Sequence, residues 1–233
     1  QNNEQIHVWA TSWGVSTRQI GALIMTHSDD TGLVCPPKVA PIQVVITPIW
    51  RNDEQRKVVL EFTDKVFGLL RKHVRVKVED REGVKPGAKY YEWERKGVPL
   101  RLEIGARDVA KNSVFSARRT GGKKSGIVVD ENFVESVQGA LNEIQQLLLD
   151  KAIELRDSKT HTIRTYQELL DGIENGGFFI APWKDDSVNE DKIKADCRAT
   201  IRCYPTSQDD LTNETCFYSG EPATHWALFA KAY

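Results

Sequence analysis

Cysteine is scarce in this chain, with four among 233 residues, at Cys35, Cys197, Cys203 and Cys216. So few thiols, so unevenly spread, exclude a disulfide-stapled scaffold. Long apolar runs are missing too. No segment approaches the ~18 uninterrupted apolar residues of a membrane-spanning helix, so none is expected. The first apolar run follows an acidic, amide-rich start without a basic flank, unlike a secretory leader, and the expected location is the cytoplasm. Familiar catalytic signatures are also absent: there is no phosphate-binding G-x-x-x-x-G-K loop, no dinucleotide glycine pattern and no assembled Ser-His-Asp set. "TGGKKS" at 120–125 has the right residue types at the wrong spacing. It reads as a hairpin turn whose lysines face solvent or RNA.

Net charge is close to zero, with 32 Lys and Arg against 33 Asp and Glu. That balance conceals an asymmetry. Residues 51–125 carry 20 basic and 11 acidic side chains, whereas the rest of the chain carries 12 and 22. A basic module of this kind can steer and hold a phosphate backbone, although a solvated basic face has the same composition.

The length allows one to two domains of α/β type. "RQIGALIMT" is an apolar run, helix or strand, expected to be buried, and Asp-Asp-Thr-Gly followed by Pro36-Pro37 ends it. "IQVVITPI" (42–49) has the continuous β-branched character of a strand covered on both faces, and 53–73 is an amphipathic helix with Val58, Val59, Phe62, Val66, Phe67, Leu69 and Leu70 on its apolar side. Strands are expected at 74–80, at 98–105 with Leu100, Leu102 and Ile104 on one face and Arg101 and Glu103 on the other, and at 112–119. A loop and a short helix or irregular segment lie before 98. A long helix over 131–160, with Asp130 as cap, and a shorter one over 164–176 precede a second sheet that uses 177–183, 199–205 and 225–233, with a polar helix inside it.

Three places carry candidate chemistry. Arg18, after "GVST", offers a fixed fork of donors to a phosphate and a cationic plane to a base; a surface salt bridge is the alternative. His27, Asp29 and Asp30 match no metal or acid-base spacing, and both aspartates stand where a turn wants them. Residues 85–101 interleave Tyr90, Tyr91 and Trp93 with Lys89, Arg95, Lys96 and Arg101, a pattern suited either to stacking on single-stranded bases or to covering the sheet. Glu94 stands out among these cations. A carboxylate repels phosphate but accepts hydrogen bonds from guanine N1 and N2, so it points to base-edge readout.

Taken together, "TSWGVSTRQIGALIMTHSDDTGLVCPPKVAPIQVVITPI", "PGAKYYEWERKGVPLRLEIG", "GGFFIAPW" and "ALFAKAY" resemble the prolyl-tRNA synthetases, in their eukaryote- and archaeon-like form. The likeness runs along essentially the whole chain. It implies an α/β architecture in three parts: residues 1–40 as the end of a class II antiparallel-sheet catalytic domain with motif 3, 41–150 as a mixed-sheet anticodon-binding domain, and 151–233 as a linker helix with a small C-terminal α/β domain. It further implies ATP-dependent ligation of L-proline to tRNA(Pro) through a prolyl-adenylate, with Mg²⁺ accompanying ATP. By the resemblance Arg18 is the catalytic motif 3 arginine over the adenine and γ-phosphate, Thr11 contacts nucleotide, and Ser12, Trp13 and Gly14 floor the proline pocket. Glu94 and Arg101 face the consecutive guanines of the anticodon, Lys123 is a third anticodon candidate, and the carboxylate of Tyr233 reaches the active site.

Departures from the family pattern carry expectations of their own. Ala10 stands where Gln is common, and Ser28 and Cys35 replace the usual Gly and Leu, changes expected to be structurally mild. Zinc-binding members place four cysteines where this chain has Lys184, Asn189, Cys216 and Ser219, and a substitute set of Cys197, Cys203, Cys216 and His225 has gaps unlike a compact thiolate site, so no zinc is expected. Motifs 1 and 2 are not in this sequence. Catalysis is therefore expected only together with an N-terminal catalytic portion, in a homodimer with no membrane contact. The alternative is a non-catalytic tRNA- or RNA-binding module or an isolated C-terminal fragment.

Overall fold

The computed structural model describes residues 7, 8, 10–122 and 124–231. The chain divides into two compact units, Gln1–Leu149 and Asp150–Tyr233.

The first unit opens with helix α1 (Arg18–His27), which has no buried residue. Ile20 is 62 % and Met25 74 % exposed. The sequence expectation of a buried run is thereby corrected. A helix satisfies its own backbone hydrogen bonds, so it can form on local terms while its apolar side chains stay uncovered.

A five-stranded mixed sheet follows, in the order β2-β1-β3-β4-β5. Strand β1 (Val44–Ile49) pairs in parallel with β2 (Val76–Val78) and β3 (Leu100–Gly105); β4 (Ser113–Arg118) runs antiparallel to β3, and β5 (Ser125–Val128) antiparallel to β4. Because side chains alternate across a strand, β1 serves two packing layers. Val44 and Ile46 join Leu100, Leu102 and Ile104 under helices α2 (Asp53–Leu70) and α5 (Phe133–Ser158). Val45 faces the other way, onto Trp93 of helix α3 (Pro86–Arg95) and Val98.

Helix α2 starts where the Asn52 side chain accepts the Gln55 amide at 2.9 Å, a conventional N-cap. Its buried stripe is Val59, Phe62, Thr63, Val66 and Leu70. That stripe is narrower than expected, for Val58 and Leu69 remain exposed. Helix α5 buries Phe133, Val137, Ala140, Leu141, Ile144 and Leu148, the three-and-four spacing seen in the sequence. Among the elements not foreseen is the five-residue α4 (Ala106–Ala110).

The second unit is a four-stranded sheet, order β6-β7-β9-β8, with helices α6 (Tyr166–Ile173) and α7 (Ser187–Cys197). Strand β7 (Phe178–Trp183) pairs in parallel with β6 (Thr160–Thr162) and antiparallel with β9 (His225–Lys231), which pairs with β8 (Ala199–Cys203). Helix α6 begins with a capping box, Thr165 accepting from Glu168 N while the Glu168 carboxylate accepts from Thr165 N. Trp183, Phe229, Phe217 and Phe179 are buried at its centre. Among the described residues no helix is long and apolar enough to cross a membrane.

Candidate nucleic-acid interface

The corner where α3 gives way to β3 gathers the charged groups of the basic module. Helix α3 delivers Glu94 one residue before its end, and Arg101 is the second residue of β3, opposite Val45 on one side and Ala117 on the other. Strand alternation sends Leu100 and Leu102 into the core and leaves Arg101 and Glu103 on the α3 face. Arg101 Nη1 donates to Glu94 Oε1 at 2.7 Å and Nε donates to Glu103 Oε1 at 3.1 Å. Its guanidinium lies 4.1 Å from the Tyr90 ring centroid, while the Tyr90 hydroxyl donates to Glu103 Oε2 at 3.1 Å. Burial, reinforced by the Glu103 charge, pushes the Tyr90 phenol well above its ordinary range, so it stays a neutral donor.

The two partners differ in access. The Arg101 side chain is 6 % exposed and that of Glu94 42 %. Arg101 therefore forms the floor of the site, fixed by two carboxylates and a ring, and Glu94 is its open acceptor. Together with Thr31, Ala117, Arg118, Arg119, Gly121, Gly122 and Lys124 they line a groove of about 270 Å³. Gly121 and Gly122 have positive φ, which lets the β4–β5 connection turn tightly beside it.

A second set of charges holds α3 in place. Glu79, 3 % exposed, accepts from Trp93 Nε1 at 2.8 Å and from Arg81 Nε and Nη2 at 2.8 and 2.7 Å. Buried Lys89 donates to the Glu79 carbonyl at 3.4 Å. Burial raises the Glu79 carboxyl, but the Arg81 fork and the indole outweigh it, and the group ends below its ordinary range. Trp93 is thus sheet cover, 4 % exposed, and Lys89 is interior. Of the aromatic trio, Tyr91 alone is open, at 59 %.

Among the described residues, the structure does not bring Thr11, Ser12, Trp13, Gly14 or Arg18 to this groove. Thr11, Ser12, Trp13 and Gly14 lie on an exposed segment without regular structure, and Arg18 is exposed at the start of α1. Lys123 and Tyr233 lie outside the described residues. Asp29 is ion-paired with Arg119 at 2.6 Å, a contact the sequence did not disclose. Arg118, Arg119 and Thr31 were missed as groove residues, the basic doublet at the end of β4 being the available signal, whereas Lys124 belongs to the turn whose lysines the sequence directs to solvent or RNA. In the second unit Lys184 pairs with Glu221, and Asn189 Nδ2 donates to Asp186. An ammonium already committed to a carboxylate is a poor zinc neighbour, and no group of three or more His, Cys, Asp or Glu among the described residues is placed to hold a metal ion.

Comparison with known proteins fits this geometry. Residues 43–140 match the family model described as "Anticodon binding domain", and 166–233 match "Prolyl-tRNA synthetase, C-terminal". Over its whole length the chain resembles the prolyl-tRNA synthetases. It is 45 % identical over 235 residues to a proline--tRNA ligase of Chloroflexus aurantiacus, covering 100 % of this chain and 48 % of that protein. The chloroplastic/mitochondrial proline--tRNA ligase of Arabidopsis thaliana is 46 % identical over 239 residues, with 100 % of this chain and 44 % of that one covered. For a Porphyromonas gingivalis proline--tRNA ligase the identity is 47 % over 227 residues, covering 97 % and 46 %. The chain thus spans about half the length of the curated synthetases it matches.

Proposed function

We propose that this chain is the tRNA-reading half of an enzyme that ligates L-proline to tRNA(Pro) through a prolyl-adenylate, using ATP. The observation that carries it is the pairing of an open carboxylate, Glu94, with a fixed guanidinium, Arg101, in a groove of the basic unit. The Watson–Crick edge of a guanine presents N1–H and N2–H to a carboxylate and O6 to a cation, so the pair has the polarity of that edge. Arg118 and Lys124 beside the groove supply positive charge for the flanking phosphates. In this proposal residues 41–150 read the anticodon, 151–233 form the C-terminal domain, and 1–40 belong to the catalytic domain. Thr11, Ser12, Trp13, Gly14 and Arg18, all exposed, would meet proline and ATP only when an N-terminal catalytic portion completes the pocket. The open apolar residues of α1, Ile20, Ile24 and Met25, give that portion a surface to cover. Mg²⁺ accompanying ATP would offset phosphate charge, and a homodimer belongs to the same assignment.

The test is a binding titration of the 233-residue chain with a tRNA(Pro) transcript and with one whose anticodon guanines are replaced by adenines. The natural transcript should bind at least ~10-fold tighter, the scale of one to two good base contacts, and Glu94→Gln should remove most of that preference. Equal affinity of the unaltered chain for both transcripts would refute base reading. Proline transfer to tRNA by the chain supplemented with the N-terminal half, and not by the chain alone, separates the ligase from a non-catalytic RNA-binding module.

A further inference from the structure

The turn after α1 is fastened to the reading corner by more bonds than a surface turn requires. Arg119, the residue after β4, has a side chain 5 % exposed. It donates through Nη1 and Nη2 to the two Asp29 carboxylate oxygens at 2.8 and 2.6 Å, through Nη2 to the Gly32 carbonyl at 3.1 Å, and through Nε to the carbonyls of Leu33 at 3.1 Å and Glu94 at 2.8 Å. The backbones are laced together as well, Leu33 N donating to Arg95 O and Cys35 N to Gly97 O at 3.0 and 3.1 Å. Glycine is required at both crossings. A Cβ on Gly32, at φ +134°, would lie 2.8 Å from Arg95 Cα, and one on Gly97, at φ +74°, 2.6 Å from the Leu33 carbonyl oxygen.

A buried guanidinium is costly unless its donors are used, and these donors converge on two things: the main chain of Glu94 and the turn that carries Thr31. Both are groove walls. The turn lies outside residues 43–140, the span that matches the anticodon-binding family model, so one wall of the groove comes from the segment before that domain.

We infer that Arg119 is a positioning residue for base recognition, which fixes Glu94 from behind and sets the Asp29–Gly32 turn as the opposite wall before RNA arrives. The inference rests on the anticodon-reading assignment above. Its ligand class is a purine edge offering N–H donors to Glu94. A rigid wall in place beforehand spares the complex the ordering cost that a mobile one would incur, and that saving falls on the base that fits.

The experiment uses the whole chain and the two transcripts described above, the natural one and the adenine-substituted one, with the ratio of their Kd values as readout. Arg119→Lys keeps the charge but replaces a planar five-donor fork with a point charge, so the fixed geometry is lost. The ratio should fall at least ~5-fold, part of one base contact. Asp29→Asn, on a half-exposed carboxylate, should give a smaller fall of about twofold, because the amide oxygen still accepts one of the two bonds. A merely structural role would weaken both transcripts by the same factor and leave the ratio unchanged; that result overturns the inference. Should Arg119→Lys fail to fold, Asp29→Asn decides alone, and an unchanged ratio again overturns it. An unaltered chain that does not distinguish the transcripts overturns the base reading itself and this inference with it, whereas discrimination retained in both variants removes only the role of Arg119.

Discussion

The two units bury different things. Every buried polar or charged side chain among the described residues lies in the first: Thr47, Thr63, Glu79, Lys89, Arg101 and Ser116. The interior of the second is aromatic. Trp183 meets Phe229 at 5.5 Å and Phe217 at 6.0 Å, and Phe217 meets Phe229 at 5.1 Å, in tilted and edge-on contacts. Edge-to-face rings add directionality to apolar burial, so this small sheet is held by shape. In the first unit, desolvated ions fix particular angles around α3 and β3, and a hydrocarbon core would be the cheaper way to gain stability alone. The difference teaches where to look for recognition: the unit that tolerates buried charge is the one whose groove presents Glu94. The aromatic unit has its own cost, since the indole N–H of Trp226 is buried without a hydrogen-bond partner among the described residues.

The contrast breaks most readily at Trp183. It is fully buried, and Trp183→Ala should destabilise the second unit by ~3–5 kcal/mol, the range for removing a large aromatic side chain from a packed core. Calorimetry should show the melting of that unit shifted or lost. The transcript preference of the first unit should persist, and a parallel collapse of both would show that the two interiors do not act separately.

The next effect belongs to the charged interior. Glu79→Ala leaves buried Lys89 without its ion-pair partner and Arg81 and the Trp93 indole without their shared acceptor, and it should cost about 3 kcal/mol as an uncompensated buried charge. Denaturant unfolding measures the loss. Because α3 carries both Trp93 and Glu94, the same change should lower the transcript preference, which the Trp183 change leaves alone. A Glu79→Ala chain as stable as the original would mean that these ions do not hold α3.

How far the sequence disclosed this arrangement depends on the range of the interaction. Runs with a clear period, such as 53–70, 133–158 and the "LRLEIG" strand, announced their helix or strand and their buried face, because periodicity is a local property. Short pieces did not. Thr160–Thr162 is three polar residues that become a strand only because β7 offers its edge, and α4 is five residues long. The α1 run was legible as apolar but not as uncovered, since exposure is set by partners and not by composition. At the site, Glu94 stood out as the wrong charge among cations, and Arg101 followed by the resemblance. Arg119 did not. Its five acceptors are scattered over residues 29, 32, 33 and 94, and no spacing rule connects an arginine to a turn 90 residues earlier.

The smallest expected effect comes from the rim of the charged corner. Glu92 accepts from Lys96 and Arg81, both at 2.6 Å, and those two cations, Lys96 first, hold its carboxyl down at about 2 against an ordinary 4.5. The folded chain thus releases this proton more readily than the unfolded one, so protonation favours unfolding. The stability Glu92 contributes is complete above its unfolded value of about 4.5 and is lost as pH falls towards about 2. Its solvent-facing position screens both pairs, so the contribution is small. In Glu92→Gln the acid limb of the unfolding midpoint should be flatter: the variant starts slightly below the unaltered chain at pH 5 and meets it near pH 2. Curves that run parallel over that window would show that the rim ions do not contribute, leaving Glu79 to anchor α3 alone.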